Sequence, residues 1–146
     1  MIDRGWHRIK RNIFQLQHAY AKIGLPADGE TTGRYDMQKV ITIGDAHEYG
    51  KGVPERSFLR TAVDEKRKII QKKVDLEFYS ILRGLTTVPM ALKRTGDMIK
   101  DTIVAKIDSG NFTPLHPRTI ARKGSSTPLI ETGQLRSTIQ TKVYAK

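Results

Sequence analysis

The residues that first invite a chemical reading are His47 and Glu48, a base and an acid side by side. Such a pair suits proton transfer or metal ligation. A metalloprotease helix sets its second histidine four residues after the first, and position 51 is Lys. His7, His18 and His116 stand at no ligand spacing from His47. The pair therefore reads as structural, a cap or packing position at a helix end. Ser125 and Thr132 lack the Gly-x-Ser-x-Gly frame of a nucleophile elbow. Lys123-Gly124-Ser125 has phosphate-loop letters in the wrong order and no upstream glycine. Residues 111–146 hold one acid, Glu131, so no carboxylate pair forms within them. The chain reads as a non-enzyme, with no catalytic residue, cofactor site or metal site.

Basic residues are the other candidates. Arg118 and Arg122 lie one helical turn apart, with Lys123 beside them. They suit two or three phosphates, or an acidic neighbouring subunit. No aromatic side chain stands there to stack on bases. The whole chain of 146 residues carries 26 Lys and Arg against 15 Asp and Glu, a net charge of +11. Residues 1–50 hold 7 basic and 6 acidic side chains, residues 51–110 hold 13 and 8, and residues 111–146 hold 6 and 1. A basic C-terminal two-thirds points to a polyanion or an acidic partner, or to a solvated face.

Composition narrows the class. The length suits one domain, and 38% hydrophobic residues suffice for a modest core. The absence of cysteine excludes disulfides, Cys-ligated zinc, iron–sulfur clusters and thiol catalysis. No apolar run approaches the ~20 residues of a membrane span. The N-terminus lacks the apolar stretch of a secretory signal, and the absence of cysteine fits a cytosolic history.

The elements that must position these residues follow from periodicity. Trp6, Ile9, Ile13, Leu16 and Tyr20 mark an amphipathic N-terminal helix or arm within 1–20, with Asp3 as its cap. Ala21, Ile23 and Leu25 alternate as a short strand, and residues 28–36 form a loop. Residues 37–48 fit a helix ended by Gly50, while Val40-Ile41-Thr42-Ile43 also allows a strand. Phe58, Leu59, Ala62, Val63, Ile69, Ile70, Val74, Phe78, Ile81 and Leu82 make one apolar stripe, predicting a helix over about 56–83 opened by Ser57. A second long helix is expected over 87–109, with Pro89 in its first turn and Gly110 after its end. Gly96 inside it marks a close approach or nothing. A short helix is expected at 117–123, a compact turn at 129–136, and a half-buried strand at 137–145. Gly50 and Gly133 are expected at positive φ. The fold class is α+β: two long antiparallel helices on a small, mainly antiparallel sheet, with a long C-terminal docking loop.

Three stretches together resemble a known family. They are His47-Glu48-Tyr49-Gly50 with Val53-Pro54-Glu55-Arg56-Ser57-Phe58-Leu59-Arg60, then Pro114-Leu115-His116-Pro117-Arg118-Thr119-Ile120-Ala121-Arg122-Lys123-Gly124, then Pro128-Leu129-Ile130-Glu131-Thr132-Gly133-Gln134-Leu135. Their order and spacing resemble the neck and tail-completion proteins of tailed bacteriophages and prophages, also called virion morphogenesis proteins. Residues 1–20 depart from the family pattern in being richer in basic side chains.

The resemblance implies a single-domain structural subunit, residues 1–146, without enzymatic activity or cofactor. It implies a homo-oligomeric ring at the head-to-tail junction, hexameric or, on the portal side, dodecameric. Its partners would be portal-connector or adaptor proteins and tail-tube or tail-terminator proteins. Phage DNA would pass through with transient, non-specific contact, and no membrane is involved. The protein would be made in the host cytoplasm and reside in the virion. Arg56, Phe58, Arg60, Arg118, Arg122, Lys123, Leu129 and Leu135 are the expected assembly residues, and 111–136 the assembly loop, ordered by its neighbours. Lys66, Arg67, Lys68, Lys72 and Lys73 are the expected lining of the DNA channel. The alternative is a small basic nucleic-acid-binding module.

Overall fold

Thr87 begins the element around which the rest is arranged. Its hydroxyl accepts the Met90 N–H at 3.4 Å, Pro89 sits in the first turn, and Gly110 in the left-handed region closes helix α5, Val88–Ser109. The computed structural model describes residues 4–26, 36–124, 126, 128–129 and 133–145, without the side chains of Arg4 and Lys123. The expected cap Asp3, most of the 28–36 loop, Ser125, Ile130, Glu131 and Thr132 lie outside these residues.

The remaining elements are α1 (Arg4–His18), β1 (Tyr20–Gly24), α2 (Met37–Tyr49), α3 (Leu59–Glu65), α4 (Arg67–Leu82), α6 (Pro117–Lys123), α7 (Gln134–Ser137) and β2 (Gln140–Tyr144). The chain is mainly helical with a small antiparallel sheet, an α+β fold. β1 and β2 pair with Tyr20 opposite Tyr144 and Gly24 opposite Gln140. Two isolated strands would be marginal in water. Here both pack on α5. Gly96 makes that possible: a Cβ there would collide with Thr141 Cγ2 of β2 and meet Ile23 of β1. The close approach foreshadowed by Gly96 is thus between helix and sheet.

α3 and α4 also lie against α5. The main core joins Val40, Phe58, Ala62, Ile103, Ile107, Leu129, Leu135 and Ile139. A second cluster gathers Ile81, Val88 and Ala91 beneath Leu16 and Ala19.

Three sequence expectations change. The helix expected over 56–83 is two helices, parted at Lys66, whose φ of −107° and ψ of 10° leave the helical region. The stripe needs an apolar residue between Val63 and Ile69, and the chain offers five charges in a row from Asp64 to Lys68. Separate helices let Ala62 join the main core and Ile81 the second cluster. Only part of the stripe is the buried face of α4: Ile81 is buried as expected, Ile69, Val74 and Phe78 are exposed, and Glu77, outside the stripe, is buried. Likewise Trp6, Ile13 and Tyr20 are exposed, and Leu16 is the α1 residue packed on the second cluster. Within 111–136 the short helix expected at 117–123 is α6, and Leu115, Leu129 and Leu135 are buried.

The open choice at 37–48 is resolved as helix. Asp36 caps it by accepting the Lys39 N–H, and Gly50 ends it at φ 68°. The β-branched run is accommodated because Val40 reaches the core and the Thr42 hydroxyl donates to the Gln38 carbonyl at 2.8 Å.

Candidate functional site

α2 ends by placing the Glu48 side chain, 2% exposed, against the start of α3. One carboxylate oxygen accepts the Ser57 hydroxyl at 2.8 Å, the Arg60 N–H at 3.0 Å and Arg60 Nε at 3.1 Å. The other accepts the N–H groups of Phe58 at 2.8 Å and Leu59 at 2.9 Å. The orphan donors of a helix start are therefore met by an acid from a different helix. Ser57, expected as the local cap, instead donates to that acid, although the Thr61 N–H still points at its hydroxyl at 3.4 Å.

Gly50 turns the chain so that this can happen. Its φ of 68° folds residues 51–56 back, and the His47 carbonyl accepts the Arg56 N–H at 2.7 Å. Arg56 is buried. Its Nε donates to the Thr113 carbonyl at 2.8 Å and its Nη2 to the Pro114 carbonyl at 3.1 Å, while Nη1 faces His47 Nδ1 at 3.4 Å. Arg60 reaches the Glu48 carbonyl at 2.8 Å and Glu55 at 2.9 Å, and its guanidinium lies over the Tyr49 ring at 4.9 Å. Arg56 and Arg60 are not successive turns of one helix as expected, because Arg56 precedes α3.

This geometry decides what His47 and Glu48 do. Burial, the largest single influence on Glu48, pushes its carboxyl up. The N–H groups of Leu59 and Arg60, the Ser57 hydroxyl and the Arg60 guanidinium together outweigh burial and hold it below its ordinary value. A carboxylate met by five donors has little capacity left to accept a substrate proton. The pair locks α2 to α3.

The expected assembly residues divide by exposure. Phe58 is 0% exposed, and Arg56, Leu129 and Leu135 are also buried within the chain. Leu129 holds a φ of 62°, an unusual conformation for leucine that its core position sustains. Arg60 is half-exposed, while Arg118 and Arg122 stand exposed on α6 without an ion pair to any described residue. The Lys123 side chain lies outside the described residues.

The expected channel-lining run also divides. Arg67 pairs with Asp64 at 3.0 Å, and Lys73 pairs with Glu77 at 2.7 Å. Lys66, Lys68 and Lys72 are exposed and pair with no described acid. The run is therefore three exposed cations without a described acid and two, the exposed Arg67 and the less exposed Lys73, paired within the chain.

Glu77 is the site that the sequence reading missed. It is buried on α4 and accepts Arg94 Nε at 2.9 Å and Nη2 at 2.5 Å, besides Lys73. Arg94 outweighs burial and, with Lys73, holds the Glu77 carboxyl down to about 2. The Lys73–Glu77 spacing of four residues was a legible signal, but Arg94 lies 17 residues on.

Among the described residues no helix is long and apolar enough to cross a membrane. Comparison with protein-family models, curated proteins and solved structures finds no match to this chain.

Proposed function

We propose that this chain is a non-enzymatic structural subunit of a tailed phage or prophage, a ring-forming neck or tail-completion protein at the head-to-tail junction. The observation that carries the reading is the convergence of the residues behind the resemblance. Glu48, Ser57, Phe58 and Arg60 meet at one carboxylate, and Arg56 ties them to the carbonyls of 113–114. Stretches far apart in sequence thus serve one structural knot, as a signature of fold and docking would. In this reading α4 and α5, joined through 83–87, form the antiparallel pair that carries the sheet. The 111–136 segment then presents Arg118 and Arg122 to a neighbour, either a second copy or a connector or tail-tube protein. The ring is hexameric, or dodecameric on the portal side, and DNA passes through it during virion assembly and ejection.

The test is deletion of the gene from a phage or prophage that carries it, followed by electron microscopy. Unjoined heads and tails that become joined on complementation support the reading, and normal joined particles overturn it. The second reading, a nucleic-acid-binding module, is favoured by the outward cations Lys66, Lys68 and Lys72. It requires the isolated chain to hold short duplex DNA with affinity falling steeply as salt rises.

A further inference from the structure

α1 and the turn between α4 and α5 line a groove of about 820 Å3 that contains none of the residues around Glu48. Its walls carry Arg8, Arg11, Phe14, Leu85, Thr86 and Met90. The size falls within the ~300–1,000 Å3 of sites that bury a ligand or a few side chains.

Three observations set it apart from ordinary surface. First, its apolar residues lie open: Leu85 is 75% exposed, Phe14 63% and Met90 56%. Clustered exposure of this kind marks interaction sites. Second, its charge has one sign. Arg8 and Arg11 line it, no acid does among the described residues, and Arg11 has no ion pair to any of them. Third, the walls are held in place. Asn12 of α1 donates to the Ile81 carbonyl at 3.0 Å, and Arg94, fixed by Glu77, donates to the Thr86 hydroxyl at 2.8 Å. The buried Glu77 cluster therefore positions one side of the groove.

We infer that this groove is a docking site for a short segment of another protein that carries carboxylates on either side of a large apolar side chain. The apolar group would cover Leu85, Phe14 and Met90, and the carboxylates would meet Arg8 and Arg11 as charge-assisted pairs. An acidic partner matches the two arginines better than a second copy of this chain, whose net charge is +11. Duplex DNA matches the arginines but leaves the apolar wall uncovered. The inference deepens the assembly reading and rests on it for the existence of a protein partner.

The experiment uses the full chain and a fluorescein-labelled peptide of about a dozen residues with glutamates flanking leucine and phenylalanine. Anisotropy is expected to show saturable binding that weakens about tenfold or more with Arg11→Glu, with Leu85→Ser, and when glutamine replaces the peptide's glutamates. Arg122→Glu, on α6, should leave it unchanged. Both groove positions are exposed, and an unaltered melting temperature confirms that each variant folds. Equal binding of the glutamine peptide overturns the proposal. So does binding lost equally with Arg122→Glu, displacement by equimolar duplex DNA, or self-association abolished by Leu85→Ser. The proposal and the assembly reading fail separately. A chain that joins heads to tails yet ignores the peptide overturns the groove alone, and one that binds the peptide but is dispensable for joining overturns the reading alone.

Discussion

Glu48 accepts the backbone N–H of Phe58 at 2.8 Å from ten residues away, so the last turn of α2 closes the first turn of α3. Phe58, fully buried, is thereby set into the main core next to Ile103 and Ile107. One carboxylate ties a helix start, a helix end and the core together.

Replacing Glu48 with Ala should destabilise the protein by about 3–5 kcal/mol, as breaking a buried charge pair does. Glu48→Gln keeps the shape but turns an amide N–H₂ toward donors, so it should also melt earlier. Urea denaturation of both variants measures this. A midpoint unchanged in either would show that solvent or local residues cap α3.

Acid should weaken the fold in a defined window. Glu77 titrates at about 2 in the folded chain against an ordinary value of 4.5. A depressed folded value means that its contribution is fully present above about 4.5 and is lost as pH falls toward 2. Glu48 adds a loss of the same sign. Glu77→Gln should flatten the pH dependence of unfolding across that window, and an unaltered slope would remove the Arg94–Lys73 clamp as its cause.

Leu59 and Ile103 should not cost the same. Ile103 is buried in the main core, and Ile103→Ala should lose about 2–5 kcal/mol. Leu59 packs against that core from a half-buried position, so Leu59→Ala should lose less. Thermal melts rank the two, and the reverse order would contradict the packing.

Gly96→Ala tests the helix-to-sheet contact. In an open helix the change would gain roughly 1 kcal/mol. Here the added methyl meets Thr141 Cγ2, so the variant should be less stable. Thr141→Ser removes that methyl, and the double variant should recover most of the loss. A stabilised single variant would mean that β2 sits farther from α5.

Much of the element plan was legible because it is local. Thr87, Pro89 and Gly110 bracket α5, and Pro117 and Gly124 bracket α6, through backbone preferences that act within a turn. Gly50 and Gly133 adopt positive φ for the same reason. Alternation placed a strand near each end of the chain, although only the fold pairs Tyr20 with Tyr144.

What the tertiary structure decided is which polar groups go inside and what meets them. His47-Glu48 stands out in the sequence as a reactive pair, yet its partners Ser57, Phe58, Leu59 and Arg60 lie nine to twelve residues on, beyond any helical spacing. Arg56 finds its acceptors 57 and 58 residues away. The apolar stripe over 58–82 named Ile81 of the buried face of α4 but not Glu77, because period alone cannot tell that Arg94 would arrive to neutralise an inward acid. Local sequence sets backbone geometry within a turn. Burial of a charge depends on a distant donor, and only the folded chain brings that donor near.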